Sequence, residues 1–408
     1  MKFVIADNSL VDRMGHSFEY ARTLRDWCLR SGYSVAILAN AGIKADVQGE
    51  LGAIPCFRYG LDHQFRAGRM FGARARAEWD YQCHAKSFLS DLQSVEQRLS
   101  VGMGDVVLFH TLRHNQILPI VRWLEKMPAR RRPTVAMILR FTAYPRYDQP
   151  ISTSRYYRRA FARMERSRSR QNMRLFTDST ILQEEYQTHT SLPVAILPIP
   201  HATQNDPEGA AGSENDRTAP IRISYLGDAR VNKGFHLLPG LFRELCGQLP
   251  QYQFVGEIQA NIRNSNEWQI RLAVQQLHDL KLTLHEQPLS SAEYYALLRR
   301  SDIVLLPYTA DYYHSQTSGI FCEAVAHGKC VVVPRGSWMA SQLSKIGAGV
   351  AFLPEDGTSL QEAVVSAVQQ LPRLRERAIN NMDEWRQVHN ADNFMRQLLA
   401  STADSVAQ

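Results

Sequence analysis

Two patterns of apolar and polar residues follow each other repeatedly along the chain, one typical of strands and one typical of helices. Short runs rich in Val, Ile and Leu predict buried strands, and segments with apolar residues at helical spacing, such as "SFEYARTLRDWCLRSG", lie between them. The strands predicted in the first half are "KFVIA", "SVAILA", "VVLFH", "TVAMILR", "RLFTDS" and "VAILPIP". Those predicted in the second half are "IRISYLG", "QFVGEI", "LTLHEQ", "DIVLLPY", "CVVVP" and "VAFLP". This alternation predicts an α/β fold with parallel sheets covered by helices on both faces.

The stretch 201–220, "HATQNDPEGAAGSENDRTAP", separates the two halves and is rich in Pro, Gly, Asn and Asp. It is typical of a linker or of a long flexible loop. We therefore predict four parts: an N-terminal Rossmann-like domain at 1–205, a linker at 206–220, a C-terminal Rossmann-like domain at 221–375, and helices at 376–408 that pack back toward the first domain.

Composition is that of a cytoplasmic protein. No apolar run approaches the ~20 residues that cross a bilayer. The N-terminal "MKFVIADNSL" predicts a first strand rather than a signal peptide. The six cysteines are scattered and contain no C-x-x-C, which favours a reducing compartment and argues against a structural zinc site or a disulfide framework.

Positive charge is concentrated in the first half: residues 1–200 hold 29 Lys and Arg against 18 Asp and Glu, and the remainder holds 18 against 22. The segment 154–174 alone has eight arginines and one glutamate, and on a helical wheel most of its arginines lie opposite a narrow apolar stripe. We predict a helix over Arg155–Arg174. Its arginine face is either simply solvated or attracted to an anionic membrane surface on the inner face of the cell membrane. No nucleic-acid partner is expected.

The glycine pattern argues against a dinucleotide cofactor. "VGMGDVV" and "IGAGVAF" both precede a strand, whereas G-x-G-x-x-G must follow a strand and open a helix. No P-loop and no D-x-D occurs in the chain. We therefore expect no cofactor and no metal site.

In "ISYLGDARVNKGFHLL" a predicted strand ends, Gly227 turns the chain, and Arg230 and Lys233 precede a helix. Cations at a helix N-terminus oppose the helix dipole, whereas a bound anion would be attracted by the cations and the dipole together. The stretch therefore indicates either an anion site or a solvated loop with two surface cations.

The stretch "SGIFCEAVAHGKCVVVP" holds one carboxylate, Glu323, in a helix predicted over about Gly319–His327 and closed by Gly328. A helix that is apolar all round is buried, and a buried carboxylate needs a partner. That partner is either a protein donor or the hydroxyl groups of a ligand. The helix start also follows a strand end, where α/β sheets bind ligands.

In this order and at these separations, "YLGDARVNKGF", "LSSAEYYALLRRSDIVLLPY" and "SGIFCEAVAHGKCVVVP" resemble the motifs of the retaining GT-B glycosyltransferases, the family-4-like group (glycosyl transferases group 1) that includes sucrose-phosphate and mannosyl transferases. The resemblance covers 220–370 well and the first domain more weakly. It implies a GT-B fold, with two Rossmann-like domains facing each other across a cleft.

The resemblance also implies roles in holding the donor. Glu323 matches the glutamate that grips the ribose hydroxyls of the nucleotide. Arg230 and Lys233 match the basic pair that neutralises the diphosphate after the turn at Gly227. The backbone N–H groups expected to hold the same diphosphate are those of Ser318, Gly319 and Ile320.

Two positions depart from the family pattern. The family's first glutamate, which touches the donor sugar, is replaced by Ser315, so His314 or Gln316 would take over that contact. The family's arginine directly follows the glycine, whereas here that position is Asp228 and Arg230 comes two residues later. Lys233 keeps its spacing from the glycine.

In the first domain, "ADNSLVDRMGHSFEYARTL" matches the family's glycine-rich loop beside the acceptor, with Gly15 and His16 as candidates. His110 ends a strand where the family has a histidine near the donor sugar; the alternative is a hydrogen-bonded core histidine. Arg140 ends the next strand and is a further candidate on the acceptor side.

The resemblance predicts a retaining hexosyltransferase that moves a sugar from a nucleotide-sugar donor to a glycan or lipid-linked acceptor, as in polysaccharide biosynthesis. Arg230, Lys233 and His110 would be its catalytic residues, and no side-chain nucleophile is evident. Two alternatives stay open. One is a sugar-nucleotide epimerase or phosphorylase on the same fold, and the other is a non-catalytic protein that binds nucleotide sugars or polysaccharides.

Overall fold

The computed structural model describes residues 1–13, 16–65, 72–144, 152–202, 220–249, 254–260, 268–280 and 282–403. The chain forms two compact units. The first unit contains Met1–Pro200 and Ala391–Gln408, and the second contains His201–Asn390. The predicted linker at 206–220 lies outside the described residues, except for Pro220.

The first unit is built on a parallel sheet of seven strands in the order β3-β2-β1-β4-β5-β6-β7. The strands are β1 (Lys2–Ala6), β2 (Ser34–Asn40), β3 (Ala53–Phe57), β4 (Val106–Leu112), β5 (Thr134–Leu139), β6 (Met173–Thr177) and β7 (Val194–Ile196). Its helices are α1 (His16–Arg30), α2 (Ala45–Leu51), α3 (Ala73–Leu99), α4 (Ile117–Lys126), α5 (Ser154–Arg166), α6 (Thr180–Gln187) and the last helix of the chain, α15 (Ala391–Ala403).

Helices cover both faces of this sheet, and alternate residues of its strands enter two different cores. Along β1, Val4 belongs to the core that also contains Trp123, whereas Phe3 belongs to the core that contains Phe18 and Phe394. Side chains of a strand point alternately to opposite faces, so both faces must be apolar when both are covered. This explains why the strands read as continuous apolar runs.

The second unit has a parallel sheet of six strands in the order β10-β9-β8-β11-β12-β13. The strands are β8 (Ile221–Tyr225), β9 (Phe254–Gln259), β10 (Thr283–His285), β11 (Ile303–Leu305), β12 (Cys330–Pro334) and β13 (Gly349–Phe352). Its helices are α7 (Leu238–Gln248), α8 (Trp268–His278), α9 (Ser291–Arg300), α10 (Ala310–Tyr313), α11 (Gly319–Ala326), α12 (Trp338–Ile346), α13 (Gly357–Gln369) and α14 (Leu371–Val388).

The predicted α/β class is confirmed, and each predicted strand is present. Sequence patterning missed β3, which contains Pro55 and was not read as a strand. Proline cannot donate a ladder hydrogen bond, but β3 is an edge strand, where one N–H group is not needed for pairing.

The predicted helix over Arg155–Arg174 is wrong in its extent. Helix α5 ends at Arg166, and Arg174 lies in strand β6. The predicted apolar stripe is confirmed, because the side chains that fall on it are buried: Tyr156, Tyr157, Ala160, Phe161 and Met164. No helix in the described parts of the chain has the length and apolar character to cross a membrane.

Candidate functional site

The turn after β8 brings two of the predicted residues onto Gly227. Gly227 has a φ of +95°, a left-handed conformation that favours glycine, and its backbone N–H donates to Oε1 of Gln259 at 2.7 Å. A Cβ atom at this position would lie 2.6 Å from Cδ1 of Ile320 and 2.9 Å from Nζ of Lys233. Glycine therefore lets the ammonium group of Lys233 and the side chain of Ile320, in the first turn of α11, approach this backbone closely.

The same loop is fixed to the chain that follows β11. Gly234 has a φ of +69°, and a Cβ atom there would lie 1.8 Å from the carbonyl oxygen of Pro307. The N–H of Thr309 donates to the carbonyl oxygen of Asn232 at 3.0 Å. These contacts hold the backbone on both sides of Lys233.

Arg230 is ion-paired inside the same loop, with the carboxylate of Asp228. Burial lowers the pKa of Arg230, but the charge of Asp228 outweighs burial, so the pKa is raised above its ordinary value. Part of the arginine charge is therefore balanced by the protein. Of the two predicted cations, Lys233 is the better placed to meet an anion at Gly227.

Helix α11 begins at this edge of the second sheet. Ser318 is its N-cap, and its Oγ accepts a hydrogen bond from the N–H of Phe321 at 3.2 Å. The first N–H groups of an α-helix have no carbonyl partner within the helix, and they carry the positive end of its dipole. The helix begins where the sequence predicts, with Ser318 as N-cap followed by Gly319 and Ile320, and the binding of an anion there stays a prediction.

Glu323 is buried, as predicted, in a helix whose eight residues are all buried. The hydroxyl group of Tyr294 donates to Oε2 of Glu323 at 2.5 Å, and Nε2 of His201 lies 3.9 Å from Oε1. Burial raises the pKa of Tyr294 well above its ordinary value, and the negative charge of Glu323 raises it further, so Tyr294 remains a donor. Of the two alternatives left open by the sequence, the structure supplies a protein donor.

The position of the missing first glutamate is also well defined. Ser315 is buried, Gln316 is half-buried and His314 is exposed, with its Nδ1 2.9 Å from the carbonyl oxygen of Gly336. This segment leads directly into Ser318. Gln316 therefore lies next to the start of α11 in sequence, where the substitute contact was expected.

In the first unit, His110 lies in β4 and faces a carboxylate. Its Nε2 is 3.1 Å from Oδ2 of Asp7, which directly follows β1, and both side chains are buried. Oγ1 of Thr111 lies 3.1 Å from Nδ1 of His110, and Asp7 also accepts from the N–H of Ser9 at 2.7 Å. His110 is thus a buried histidine in contact with a carboxylate at the carboxyl edge of the sheet.

Tyr20, in α1, connects His110 with the other predicted strand-end residue. Its ring stacks on the imidazole of His110 at 4.3 Å and lies 4.6 Å from the guanidinium of Arg140. Arg140 is ion-paired with Asp178 at 3.2 Å, where the Asp178 side chain is buried. The structure therefore brings His110 and Arg140 together in one buried network.

The remaining acceptor-side candidates are less constrained. His16 begins α1 and is exposed. Gly15 lies outside the described residues.

Sequence reasoning missed five residues that the structure places at these sites. Three of them directly follow or end a strand: Asp7, Asp178 and Gln259. Parallel sheets bind ligands at the carboxyl ends of their strands, and this rule would have identified these three residues. Tyr20 and Tyr294 gave no signal, because each is a helix residue whose partner is distant in the chain.

The arginine face of α5 is only partly compensated. Arg155 lies 3.2 Å from Glu78 of α3, and Arg163 lies 2.7 Å from Glu125 of α4. The exposed arginines of α5 and of the turn that follows it include Arg158, Arg159, Arg166, Arg168 and Arg170. These exposed arginines form a basic surface beside the two ion-paired arginines, Arg155 and Arg163.

No protein-family model matches the chain, and no curated protein matches its sequence. Among solved structures, it resembles the N-terminal domain of Candida albicans trehalose-6-phosphate phosphatase, with a TM-score of 0.68 and 11% identity over 99% of this chain and 97% of that one. It also resembles sucrose-phosphate synthase from Thermosynechococcus elongatus, with a TM-score of 0.65 and 12% identity over 100% and 99% of the two chains.

A third similar structure is Anabaena HepE in complex with UDP, with a TM-score of 0.66 and 12% identity over 99% of this chain and 100% of that one. At such low identity the likeness defines the fold alone. The chain has the GT-B fold, in agreement with the prediction from its C-terminal motifs.

Proposed function

We propose that the chain is a glycosyltransferase that moves a sugar from a nucleotide-sugar donor to a glycan or lipid-linked acceptor, with retention of configuration. The observation that carries the proposal is the close approach of the Lys233 ammonium group, and of the Ile320 side chain from the first turn of α11, to the backbone of Gly227. Similar structures support the donor class, since they include sucrose-phosphate synthase, trehalose-6-phosphate synthase and HepE in complex with UDP.

The second unit binds the nucleotide in this proposal. The diphosphate lies against Gly227, where Lys233 and the N–H groups that begin α11 act on its charge together. The ribose hydroxyls bind to Glu323, one turn further along the same helix. Tyr294 holds Oε2 of that carboxylate and so fixes its orientation before a ligand arrives.

Catalysis is mostly electrostatic. When the bond between the anomeric carbon and the diphosphate breaks, negative charge grows on the leaving phosphate oxygen, and Lys233 stabilises it with help from Arg230. The acceptor hydroxyl oxygen forms the new bond on the same face of the sugar, and its proton passes to the departing phosphate oxygen. This scheme uses no side-chain nucleophile, no cofactor and no metal.

We assign the acceptor to the first unit, for which the sequence predicts Gly15 and His16 as acceptor-side residues. The support is the buried network of Asp7, His110 and Arg140 at the carboxyl edge of its sheet. Buried charged groups at the carboxyl ends of parallel strands are a frequent mark of a functional site.

One observation favours a second candidate function. Ser315 stands where the family has its sugar-contacting glutamate, so a protein that binds nucleotide sugars without turning them over is the alternative. Incubation with a panel of UDP-, GDP- and ADP-sugars distinguishes the two. Release of free nucleoside diphosphate supports the enzyme, whereas binding without release supports the binding protein.

The stereochemistry and the metal independence are tested with the same enzyme. Proton NMR of the first product formed reports whether the anomeric configuration of the donor is kept. Addition of EDTA should leave the rate unchanged, because protein cations carry the diphosphate charge. Inversion, or loss of activity that Mg²⁺ restores, would contradict the scheme.

We also propose that the exposed arginines of α5 attract the protein to an anionic membrane surface from the cytoplasmic side. Each arginine near such a surface contributes up to about 1 kcal/mol. The support is the exposed basic face that remains beside the ion pairs to Glu78 and Glu125. A purely solvated helix face is the alternative.

A further inference from the structure

A narrow pocket opens at the carboxyl edge of the first sheet, which we call the Asn8 pocket. Its walls come from the residues after β1, β3 and β4 and from α3, and it amounts to about 290 Å³ including the part open to solvent. Its enclosed interior admits a group of about the size of a water molecule. Its lining includes Asn8, Tyr59, Leu61, His84, Ser87, Phe88 and Asp91.

The charged groups of the Asn8 pocket are already neutralised by the protein. Asp91 accepts hydrogen bonds from Nε of Arg58 at 2.6 Å and from its backbone N–H at 3.0 Å. Nε2 of His84 lies 2.5 Å from the carbonyl oxygen of His63, and burial lowers the pKa of His84, which keeps the ring neutral. The pocket therefore offers a ligand no net charge.

Two neutral polar atoms in the pocket are unsatisfied. Asn8 is only 5% exposed; its Nδ2 donates to the carbonyl oxygen of Tyr59 at 3.1 Å, but its Oδ1 has no partner within the described parts of the chain. The same holds for Oγ of Ser87. A buried acceptor without a donor is costly, and an amide oxygen and a hydroxyl group that line the same pocket suit a ligand hydroxyl group, which donates and accepts at once.

The rest of the lining combines apolar and aromatic side chains with the amides of Asn115 and Gln116, and Oε1 of Gln116 accepts from the backbone N–H of Arg113 at 2.8 Å. Leu61 and Phe88 line the pocket, and the ring of Tyr59 stacks on His63 at 4.3 Å and meets Phe65 edge-on at 4.8 Å. Apolar faces beside a few precisely oriented polar groups are the usual surroundings of a neutral small-molecule ligand. Sugars combine C–H faces with hydroxyl groups and match both features.

We propose that the Asn8 pocket binds a hydroxyl or hydroxymethyl group of an uncharged sugar, held between Oδ1 of Asn8 and Oγ of Ser87. This inference rests on the proposed function and names the class of its acceptor. The cation that acts on His84 from beside the pocket, Arg113, is ion-paired with Asp62 at 2.6 Å, and Arg140, after the next strand, is ion-paired with Asp178, so the protein already balances both charges and neither would compensate a phosphate. The acceptor is therefore a neutral sugar at this position rather than a sugar phosphate.

The test is direct binding to the full chain, without turnover. Ligand-detected NMR titrations with glucose, galactose, mannose and maltose, and with glucose 6-phosphate as the charged counterpart, give dissociation constants. We expect binding of at least one neutral sugar, and weaker binding of the phosphate. Asn8→Ala and Ser87→Ala should each weaken it by about three- to tenfold, the loss of one hydrogen bond.

Ser90→Ala is the matched control, since Ser90 is an exposed serine of the same helix, α3. Equal sugar affinities of Ser87→Ala and Ser90→Ala would overturn the proposal. So would tighter binding of glucose 6-phosphate than of the neutral sugars. The third contrary result is that no neutral sugar binds at concentrations up to about 50 mM, the order of magnitude expected for weak sugar sites. If Asn8→Ala changes only the melting temperature, the pocket holds a structural water and the proposal fails. If Asn8→Ala does not fold, the comparison of Ser87→Ala with Ser90→Ala still tests the proposal.

Parallel titrations with UDP, GDP and ADP separate this proposal from the proposed function. These nucleotides report on the second unit, whose residues are untouched by the substitutions. If the wild type binds none of the three nucleotides but binds a neutral sugar through Asn8 and Ser87, the glycosyltransferase is contradicted and the pocket proposal stands. If it binds a nucleotide but the substitutions of Asn8 and Ser87 leave sugar binding unchanged, the pocket proposal fails and the proposed function stands.

Discussion

Oδ2 of Asp7 lies 3.1 Å from Nε2 of His110, and neither side chain has more than 1% of its surface exposed. Burial raises the pKa of Asp7, but the charge of His110 and the hydrogen bond between them outweigh it, so the pKa lies below its ordinary value of 3.8. An ionised, buried aspartate thus holds the one histidine that the sequence proposes for catalysis. The pair joins the ends of β1 and β4.

Asp7→Asn should destabilise the protein in a pH-dependent way. Because the folded pKa of Asp7 is lower than the unfolded one, its ionised form stabilises the folded state above pH ~4, and this stabilisation is lost as the pH falls through the folded pKa. We expect a loss of about 1–3 kcal/mol at pH 7, as for a buried charged hydrogen bond.

Urea unfolding of wild type and variant at pH 7, 5 and 3 measures this difference, with the exposed Asp383→Asn as control. The gap between wild type and Asp7→Asn should narrow toward pH 3. A gap of the same size at each pH would mean that the ionisation of Asp7 does not stabilise the fold.

The fold could be predicted because β1 and its neighbours are apolar on both faces, and this pattern is local in the sequence. Strand β3 was missed because its edge position, which permits Pro55, is a property of the whole sheet. The sequence did not predict the end of α5 at Arg166 because arginines continue past it, at Arg168, Arg170 and Arg174, although the apolar stripe stops at Met164 and the chain turns before β6.

Site residues could be predicted where the neighbouring sequence alone defines their surroundings. Glu323 could be recognised as buried from its helix alone. Its partner Tyr294 could not, since the contact depends on how α9 packs beside α11, 29 residues further on. The pairing of Arg230 with Asp228 was also missed, although both lie in one loop, because the path of that loop is set by Gly227 and Gly234.

Glu323→Ala should weaken nucleotide binding by about tenfold or more, as expected for lost hydrogen bonds to a charged group. In the proposed function, the carboxylate of Glu323, in α11, accepts hydrogen bonds from the ribose hydroxyls of the nucleotide. Titration calorimetry with UDP and GDP measures the effect. Glu376→Ala, an exposed glutamate of α14, is the control. An affinity equal to that of wild type, for the nucleotide that wild type binds, would remove Glu323 from the site.

Lys233→Ala should reduce turnover by about 10²–10³-fold, a typical cost of removing one electrostatic stabiliser of the leaving group. Its folding should change less than its turnover, because backbone contacts at Gly234 and Asn232 also hold the loop. Release of nucleoside diphosphate is measured at saturating donor. Lys345→Ala, an exposed lysine of α12, should behave as wild type. Equal rates for the two variants would refute the role of Lys233.

Gly234→Ala should destabilise the second unit by more than about 2 kcal/mol, because it combines a strained φ with a backbone clash against Pro307. Gly240→Ala is the matched control: Gly240 lies in α7 with open space around it, and alanine there should be neutral or stabilising by up to about 1 kcal/mol. Thermal unfolding compares the two. Similar melting temperatures would show that the loop after β8 is not fixed in place as described.

The last prediction concerns the exposed arginines of α5. Arg158, Arg159 and Arg166 are exposed, whereas Arg155 and Arg163 are paired with carboxylates, so changing the first three to glutamine removes charge without breaking an ion pair of α5. Co-sedimentation measures binding to two kinds of vesicle, one of neutral lipid and one with about 30% anionic lipid. The second approximates the charge of the cytoplasmic leaflet.

Binding of the wild type should require anionic lipid and fall with added salt, since charges at a surface are screened within a Debye length of about 10 Å at 0.1 M salt. The triple variant should bind at least about tenfold less, because each arginine contributes up to about 1 kcal/mol. The control changes Arg243, Arg271 and Arg335 to glutamine. These are three exposed arginines of the second unit, so the net charge is altered equally. If both triple variants lose the same binding, the attraction follows from net charge alone, and α5 is a solvated helix face.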